Sequence, residues 1–169
     1  SARDTVALLE ALRSLCNAAG VPLVANDRVD LALATKCDLV HLGQDDASAD
    51  VARAVAPMLG VGLSTHTPDQ LSRALKSRPT YVAYGPVFAT ASKRNHEPPV
   101  GLEGLAAARK IISESGAPTT PLVAIGGISA ENAAAVRVHA DVIAVIGALI
   151  GSDPGANLRA LQTAAGDRA

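Results

Sequence analysis

The chain has 169 residues, a formal net charge of −1 and 49% hydrophobic residues, yet only 2% of its residues are aromatic. This length fits one domain with a substantial core, and the core has to be built from aliphatic side chains, which suits helices packed on parallel strands. The balanced charge gives no basic surface for nucleic acid, and no apolar run reaches the ~18 residues of a membrane span. We therefore expect neither nucleic acid nor a membrane as a partner.

Two cysteines, Cys16 and Cys37, lack the spacing of a metal site or of a redox pair. Both lie among apolar residues, so we expect them to be reduced and packed. Reduced, isolated cysteines are usual in cytosolic proteins, and the sequence therefore predicts a cytoplasmic location.

Apolar periodicity and helix caps predict an alternation of helices and strands. In chain order, the predicted elements are a helix over 4–19 capped by Asp4, a strand over 21–25, a helix over 29–35, a strand over 39–42, a helix from Ser48 or Asp50 to Ala56, a strand over 60–64, a helix from the cap Thr67 to Lys76, a strand over 81–85, a helix over 102–114, a strand over 121–125, a helix from the cap Ser129 to Val138, a strand over 141–146 and a helix over 154–164. This alternation favours a parallel α/β fold. Six strands fit an open doubly wound sheet, whereas a closed barrel of this type needs eight, so the count leaves the architecture open.

Amide and acidic side chains follow the first two predicted strands. Asn26 and Asp27 come directly after the first strand, and Asp46 follows the second. Parallel α/β folds place their chemistry at the carboxyl ends of the strands, so Asp27 and Asp46 can converge on one cation. Carboxylates together with a substrate phosphate are typical ligands of Mg²⁺. The alternative is that these residues are ordinary turn and capping residues.

Glycines follow the last two predicted strands, at Gly126-Gly127 and at Gly147. Glycine lets the backbone approach a ligand closely, and backbone N–H groups at such positions can hold a phosphate. Tight turns explain each glycine separately, but the two positions together favour a phosphate site.

The segment 86–100 is too long for a plain connector. It contains Thr90, Ser92, Lys93 and Arg94. Two hydroxyl groups beside a lysine suit anionic oxygens, and the alternative is a solvated basic turn.

Ser64 ends the third predicted strand, where its hydroxyl either contacts a substrate or starts the following turn. No residue pattern around it indicates a nucleophile with a general base. The histidines lie in separate segments without the spacing of a zinc site. His41, at the end of an apolar strand, is expected to be a hydrogen-bonded core residue.

Five short motifs follow one another over most of the chain. They are Asn26-Asp27-Arg28, His41-Leu42-Gly43-Gln44-Asp45-Asp46, Gly62-Leu63-Ser64-Thr65-His66, Gly85-Pro86-Val87-Phe88 and Val123-Ala124-Ile125-Gly126-Gly127-Ile128. The ordered set resembles the thiamine-phosphate synthase family, whose fold is a TIM (β/α)8 barrel. The resemblance implies a Mg²⁺-dependent transferase that joins 4-amino-2-methylpyrimidine-5-methyl diphosphate to a thiazole phosphate, giving thiamine phosphate and diphosphate. It also implies a dissociative mechanism, in which diphosphate leaves before the thiazole nitrogen captures the pyrimidine methylene cation.

The resemblance further implies a role for individual residues. Asn26 would bind the pyrimidine diphosphate, and Asp27 and Asp46 would be the Mg²⁺ ligands. Ser64 would contact the pyrimidine substrate, and Lys93 matches the diphosphate-binding lysine of the family. Ser64 and Lys93 are therefore the candidate catalytic residues.

A second group of positions matches the thiazole-phosphate site of the family. These positions are Thr90, Ser92, Gly127, Ile146 and Gly147. Ser92 stands where the family usually has Thr, which keeps the hydroxyl group. Gly147 stands where Ser is common, so only a backbone contact to phosphate remains there.

The likeness starts at the helix that follows the family's second strand. Residues 1–169 are thus expected to form a single (β/α) barrel domain that is incomplete at its N-terminus, without the first two strands and the family's Gln-x-Arg-x-Lys diphosphate-binding motif. We expect this sequence to be the retained part of a longer enzyme rather than a true fragment. The other hypotheses are a thiazole tautomerase-like paralogue and a non-catalytic phosphate-binding or regulatory domain, and a homo-oligomer stays open.

Overall fold

The computed structural model describes residues 1–90 and 97–166. Within these two ranges, helices and strands alternate as the sequence predicts. They are α1 (Ala2–Ala19), β1 (Val24–Asn26), α2 (Val29–Ala34), β2 (Leu39–Leu42), α3 (Ala49–Val55), β3 (Gly60–Thr65), α4 (Pro68–Lys76), β4 (Tyr81–Tyr84), α5 (Gly101–Ser113), β5 (Leu122–Ile125), α6 (Ala133–Arg137), β6 (Val142–Ala144) and α7 (Pro154–Ala165), with a 3₁₀ helix at Gly147–Leu149. No helix in these ranges combines the length and the apolar character that crossing a membrane would need.

The chain folds into two compact units, Ser1–Ser64 and Thr65–Ala169. In the first unit, β1 pairs with β2 and β2 pairs with β3, and all of these pairings are parallel. Asn26 lies in register with His41, which in turn lies in register with Gly62. The carboxyl ends of the three strands therefore meet at one edge of the unit.

The second unit repeats this arrangement with β4, β5 and β6, which also pair in parallel. Ile125 at the end of β5 lies in register with Ala144 at the end of β6. Thr65, the last residue of β3, belongs to this unit, and its buried hydroxyl donates to the carbonyl oxygen of Ala83 at 2.9 Å. The predicted parallel α/β fold is confirmed, whereas a closed (β/α)8 barrel formed as one domain stays a prediction.

The core of the first unit lies on one face of its strands. Successive strand residues point to opposite faces, and Ala25, Val40 and Val61 share the face that is almost completely buried. They cluster with small residues from the helices, among them Ala32 of α2 and Ala52 of α3. Asn26 and His41 are the next residues along their strands, so they point to the opposite face, away from this core.

The start of α1 differs from the prediction. The N-cap is Ser1 and not Asp4, because the Ser1 hydroxyl accepts from the Asp4 N–H while the Asp4 carboxylate accepts from the backbone nitrogen of Ser1. Asp4 is thus the third helical residue of a capping box. Gly20 ends the helix in the left-handed conformation, as the sequence predicts.

The start of α6 also differs. Ser129 was the expected N-cap, but the helix begins at Ala133 and its N-cap is Asn132. The Asn132 side chain accepts from the Ser129 N–H at 2.9 Å and donates to the Gly127 carbonyl at 3.1 Å. These two bonds hold Ser129 in a turn before the helix. By contrast, Ser48 and Thr67 are the N-caps of α3 and α4, as predicted.

Four strands are shorter than predicted, β4 and β5 by a single residue and β1 and β6 by more. β1 begins at Val24 rather than at residue 21, because the Leu23 N–H donates to the Asp38 carboxylate at 2.7 Å instead of to a strand. β6 ends at Ala144 rather than at residue 146, since Ile146 leaves the extended conformation and a 3₁₀ turn follows. The carboxyl ends of the strands, as the structure has them, position the candidate site.

Candidate active site

Four of the residues predicted to bind the pyrimidine diphosphate and its Mg²⁺ lie at the carboxyl edge of the first unit, namely Asn26, Asp27, Asp46 and Ser64. Asn26 ends β1, and Asp27 follows it with a φ of 64°. This left-handed conformation is uncommon outside glycine, although Asp tolerates it better than most residues. The Asp27 N–H donates to the His41 carbonyl and the Arg28 N–H donates to the Asn26 carbonyl, both at 2.8 Å. The tight turn therefore fixes Asp27 against the end of β2.

Asp46 lies in the loop after β2, the strand next to β1. Its Oδ2 accepts a hydrogen bond from the Gly43 N–H at 2.7 Å, and the side chain is half-buried. A Cβ atom on Gly43 would approach that same oxygen to 3.1 Å, so a larger residue would crowd the carboxylate. The loop thus holds Asp46 in one orientation at the edge that Asp27 also occupies.

The donor set at this edge fits Mg²⁺. Asp27 and Asp46 supply carboxylate oxygens from neighbouring strands, and Mg²⁺ in proteins is commonly held by one or two carboxylates together with substrate phosphates and water. The described residues contain no cluster of three or more His, Cys, Asp or Glu side chains able to hold a metal. Binding of Mg²⁺ by Asp27 and Asp46, with a diphosphate as a further ligand, therefore stays a prediction.

Ser64 has a partner that the sequence did not reveal. Its Oγ lies 2.7 Å from Nε2 of His41, and its carbonyl accepts from the Gln44 side chain at 2.6 Å. Burial lowers the pKa of His41 below its ordinary value, and the charge of Asp46 only partly offsets this. His41 is half-buried and hydrogen-bonded at the site's edge. No local sequence pattern indicates this contact, because it depends on the strand register that aligns His41 with Gly62, two residues before Ser64.

Arg28 adds a cationic group beside Asp27. Its guanidinium binds both carboxylate oxygens of Asp30, at 2.8 and 2.5 Å. The hydrogen bonds from Arg28 lower the pKa of Asp30 to about 2. Both side chains are exposed, so the pair contributes little to stability, and the Asp30 carboxylate neutralises the charge of the guanidinium.

The loop after β4, in the second unit, is anchored at both ends. After the cis peptide bond between Gly85 and Pro86, the Val87 N–H donates to the Ile125 carbonyl at 2.8 Å. At the far end, the N–H groups of Val100 and Gly101 donate to the carbonyls of Pro86 and Val87. Thr90 lies in this loop and is half-buried, whereas Ser92 and Lys93 fall outside the described residues.

Gly127 packs closely against the same loop. A Cβ atom at this position would lie 2.5 Å from the Ala89 carbonyl oxygen and 2.8 Å from Cβ of Phe88, and Gly127 has a φ of 66°. Packing and backbone conformation therefore suffice to explain glycine here. The additional role of its N–H in binding phosphate stays a prediction.

Ile146 and Gly147 lie near the equivalent level of the neighbouring strand. Because Ile125 and Ala144 are in register, Gly127 and Ile146 are each two residues past an aligned pair. The Ile146 side chain is 67% exposed, and Gly147 begins the 3₁₀ turn. The second unit therefore has four of its predicted thiazole-phosphate residues after the carboxyl ends of β4, β5 and β6, namely Thr90, Gly127, Ile146 and Gly147, and Ser92 lies outside the described residues.

Comparison with known proteins identifies the family of this chain. The family model described as thiamine monophosphate synthase matches residues 1–149. The thiamine-phosphate synthase of Roseiflexus sp. (strain RS-1) is 47% identical over 164 residues, which are 95% of this chain and 67% of that protein. The thiamine-phosphate synthase of Roseiflexus castenholzii is 45% identical over 170 residues, covering 99% of this chain and 72% of that protein.

A solved structure extends the comparison to the fold. The thiamine phosphate pyrophosphorylase from Pyrococcus furiosus superposes with a TM-score of 0.85 at 33% identity, over 98% of this chain and 78% of that one. The likeness places the chain among enzymes with a TIM-like α/β fold. The chain belongs to the thiamine monophosphate synthase family. The family and the enzymatic class predicted from the ordered motifs are thus confirmed.

Proposed function

We propose that the protein is a Mg²⁺-dependent thiamine-phosphate synthase that joins 4-amino-2-methylpyrimidine-5-methyl diphosphate to a thiazole phosphate. The observation that supports this most directly is the position of Asn26, Asp27 and Asp46 at the ends of two neighbouring strands. The names of the curated relatives support the same activity. The proposal includes a complete (β/α)8 barrel in the whole protein and a cytoplasmic location.

The first unit would hold the diphosphate end of the pyrimidine substrate. The Asn26 amide is a hydrogen-bond donor for phosphate oxygens, and Asp27 and Asp46 would bind Mg²⁺. When bound there, Mg²⁺ would neutralise negative charge on the departing diphosphate. Lys93 would add a further positive charge to the same group.

The reaction then needs no nucleophile from the protein. The bond between the pyrimidine methylene carbon and the diphosphate oxygen breaks, and its electron pair leaves with the diphosphate. The lone pair of the thiazole nitrogen forms the new carbon–nitrogen bond, which yields thiamine phosphate. The residues at the site suit such a sequence, because they stabilise a leaving group and position the two substrates.

The second unit would bind the thiazole phosphate. Thr90 and Ser92 would offer hydroxyl groups, and Gly127, Ile146 and Gly147 would offer backbone N–H groups at the ends of β5 and β6. The anchored stem of the loop after β4 supports this assignment, because it keeps Thr90 close to the end of β5.

The test is an assay of the full-length protein with both substrates, with Mg²⁺ and then with a chelator. We expect equal amounts of thiamine phosphate and diphosphate, and loss of both on chelation that added Mg²⁺ restores. Binding of the pyrimidine diphosphate, measured by calorimetry, should require Mg²⁺ as well. Conversion of a thiazole phosphate alone would instead indicate a tautomerase. Phosphate binding without turnover would indicate a regulatory domain.

A further inference from the structure

The contact between His41 and Ser64 brings together side chains from two neighbouring strands. Nε2 of His41 lies 2.7 Å from Oγ of Ser64, and both residues are half-buried. His41 aligns with Gly62, which has no side chain, and Ser64 follows two residues later on the same face. The imidazole therefore has room to extend along β3 to the hydroxyl.

The backbone of Ser64 is held as well. The Gln44 side chain donates to its carbonyl oxygen at 2.6 Å. Gln44 follows β2 by two residues and His41 lies within β2, so one segment fixes both the backbone and the hydroxyl of Ser64. If Ser64 only started the following turn, it would need neither the hydrogen bond between its hydroxyl and His41 nor the one from Gln44 to its carbonyl oxygen.

We infer that His41 is a positioning residue that orients the Ser64 hydroxyl so that its oxygen accepts a hydrogen bond from the pyrimidine substrate. This inference rests on the function proposed above. In this arrangement the Ser64 O–H donates to Nε2 of His41, and the lone pairs of Oγ face the substrate.

The direction of this hydrogen bond is part of the proposal. The 2.7 Å contact is compatible with either donor, because a neutral imidazole carries its proton on Nδ1 or on Nε2. With the proton on Nδ1, Nε2 is an acceptor and the Ser64 O–H donates to it. The substrate has an exocyclic amino group, which is a donor and needs an acceptor. An analogue with a carbonyl in place of the amino group has no hydrogen to donate, so its oxygen would face the lone pairs of Ser64 Oγ.

The inference is tested by kinetics on the full-length enzyme with His41→Leu, His41→Gln, Ser64→Ala and the double variant His41→Leu/Ser64→Ala. We expect His41→Leu to raise KM for the pyrimidine diphosphate by roughly 10-fold, while KM for the thiazole phosphate stays unchanged. In the Ser64→Ala background the same change should add less than about twofold, because residues in one network are not additive. His41→Gln, whose amide can reach the Nε2 position, should recover most of the loss.

A matched control and a second measurement separate this role from a structural one. His139→Leu, on the turn that precedes β6, should change neither KM. In ¹⁵N spectra of the imidazole, Ser64→Ala should shift the Nε2 resonance of His41, a readout that does not depend on turnover. Equal losses in both backgrounds, or an unchanged Nε2 resonance, would overturn the inference. A wild-type enzyme that forms no thiamine phosphate would instead overturn the proposed function.

Discussion

Asp38 and Asp141 do the same structural task in the two units. Each directly precedes a strand, and each uses Oδ2 to accept the N–H of a leucine at the start of the preceding strand. The distances are 2.7 Å from Leu23 N to Asp38 and 2.7 Å from Leu122 N to Asp141. The same carboxylate oxygen also binds an arginine from the helix before that strand, Arg13 in the first unit and Arg109 in the second.

This repeated clamp lies at the amino ends of the strands, opposite the edge with the site residues. It satisfies a backbone N–H that no strand reaches and ties a helix to the starts of two strands. In barrels, features at this end are typically related to stability rather than to catalysis. Substitutions there should therefore affect unfolding more than turnover.

Replacing Asp38 with Asn should lower the stability of the fold near neutral pH. The hydrogen bonds from Arg13 and from the Leu23 N–H hold the pKa of Asp38 below its usual value. The folded pKa thus lies below the unfolded value of about 3.9, so the stabilisation is present above that pH and is lost as the pH falls through the folded pKa. Urea unfolding measures the free energy of unfolding of wild type and variant. The difference between the two should be smaller at pH 3 than at pH 7.

The control for this experiment is Glu10→Gln, on the exposed part of α1. It should leave the urea midpoint nearly unchanged at both values of pH. If the difference in the free energy of unfolding between wild type and Asp38→Asn did not change with pH, the ion pair would contribute nothing to stability. The equivalent change at Asp141 should behave alike. Burial raises the pKa of that carboxyl, but the hydrogen bonds from Arg109 and Leu122, together with the charges of Arg109 and Arg137, keep it lowered overall.

Replacing Asp46 with Ala should reduce kcat/KM by on the order of 100-fold, because it removes one of two proposed Mg²⁺ ligands. The concentration of Mg²⁺ required for half-maximal activity should increase as well. The neighbouring acid offers a matched control, since Asp45 is exposed and Asp45→Ala alters the net charge equally. Similar kinetics for the two variants would refute the metal assignment.

Replacing Gly127 with Ala should destabilise the protein by about 1–3 kcal/mol, because the residue has a positive φ and a Cβ atom would meet the Ala89 carbonyl at 2.5 Å. We also expect a higher KM for the thiazole phosphate, since the loop after β4 must move away. Gly116→Ala is the control, because its φ is not in the left-handed region and a Cβ atom there meets nothing within 4 Å. Chemical denaturation together with steady-state kinetics measures both effects.

Replacing Asn132 with Asp keeps one of its two hydrogen bonds and removes the other. The carboxylate still accepts from the Ser129 N–H but repels the Gly127 carbonyl, to which the amide donates. We expect a loss of about 1–3 kcal/mol in the free energy of unfolding, with Asn132→Ala losing a comparable amount. A neutral effect of both changes on the urea midpoint would show that Asn132 does not hold this loop.

Local patterns sufficed to predict most elements, because apolar periodicity and caps such as Ser48 and Thr67 act within a few residues. The placement of Asn26, Asp27 and Asp46 after their strands could likewise be predicted, since strand ends follow from the same patterns. The pair of His41 and Ser64 could not, because it depends on the register between two strands that are far apart in sequence.

The ends of some elements could not be predicted for the same reason, because they depend on contacts that local sequence patterns do not contain. Asp38 replaces a strand partner for Leu23 and so shortens β1, a contact over 15 positions that no local pattern contains. At α6, Asn132 and Ser129 are both favourable caps, and the choice between them depends on the bond to Gly127.

The stem of the loop after β4 has a consequence for how this family can diversify. Backbone-to-backbone bonds close the stem at Val87, Val100 and Gly101, so these bonds require no particular side chain. Phe88 and Ala89 pack closely on Gly127, and we expect sequence changes that spare these two residues to be tolerated at little cost to the sheet. Such changes would alter substrate binding before they disturb the pairing of the strands.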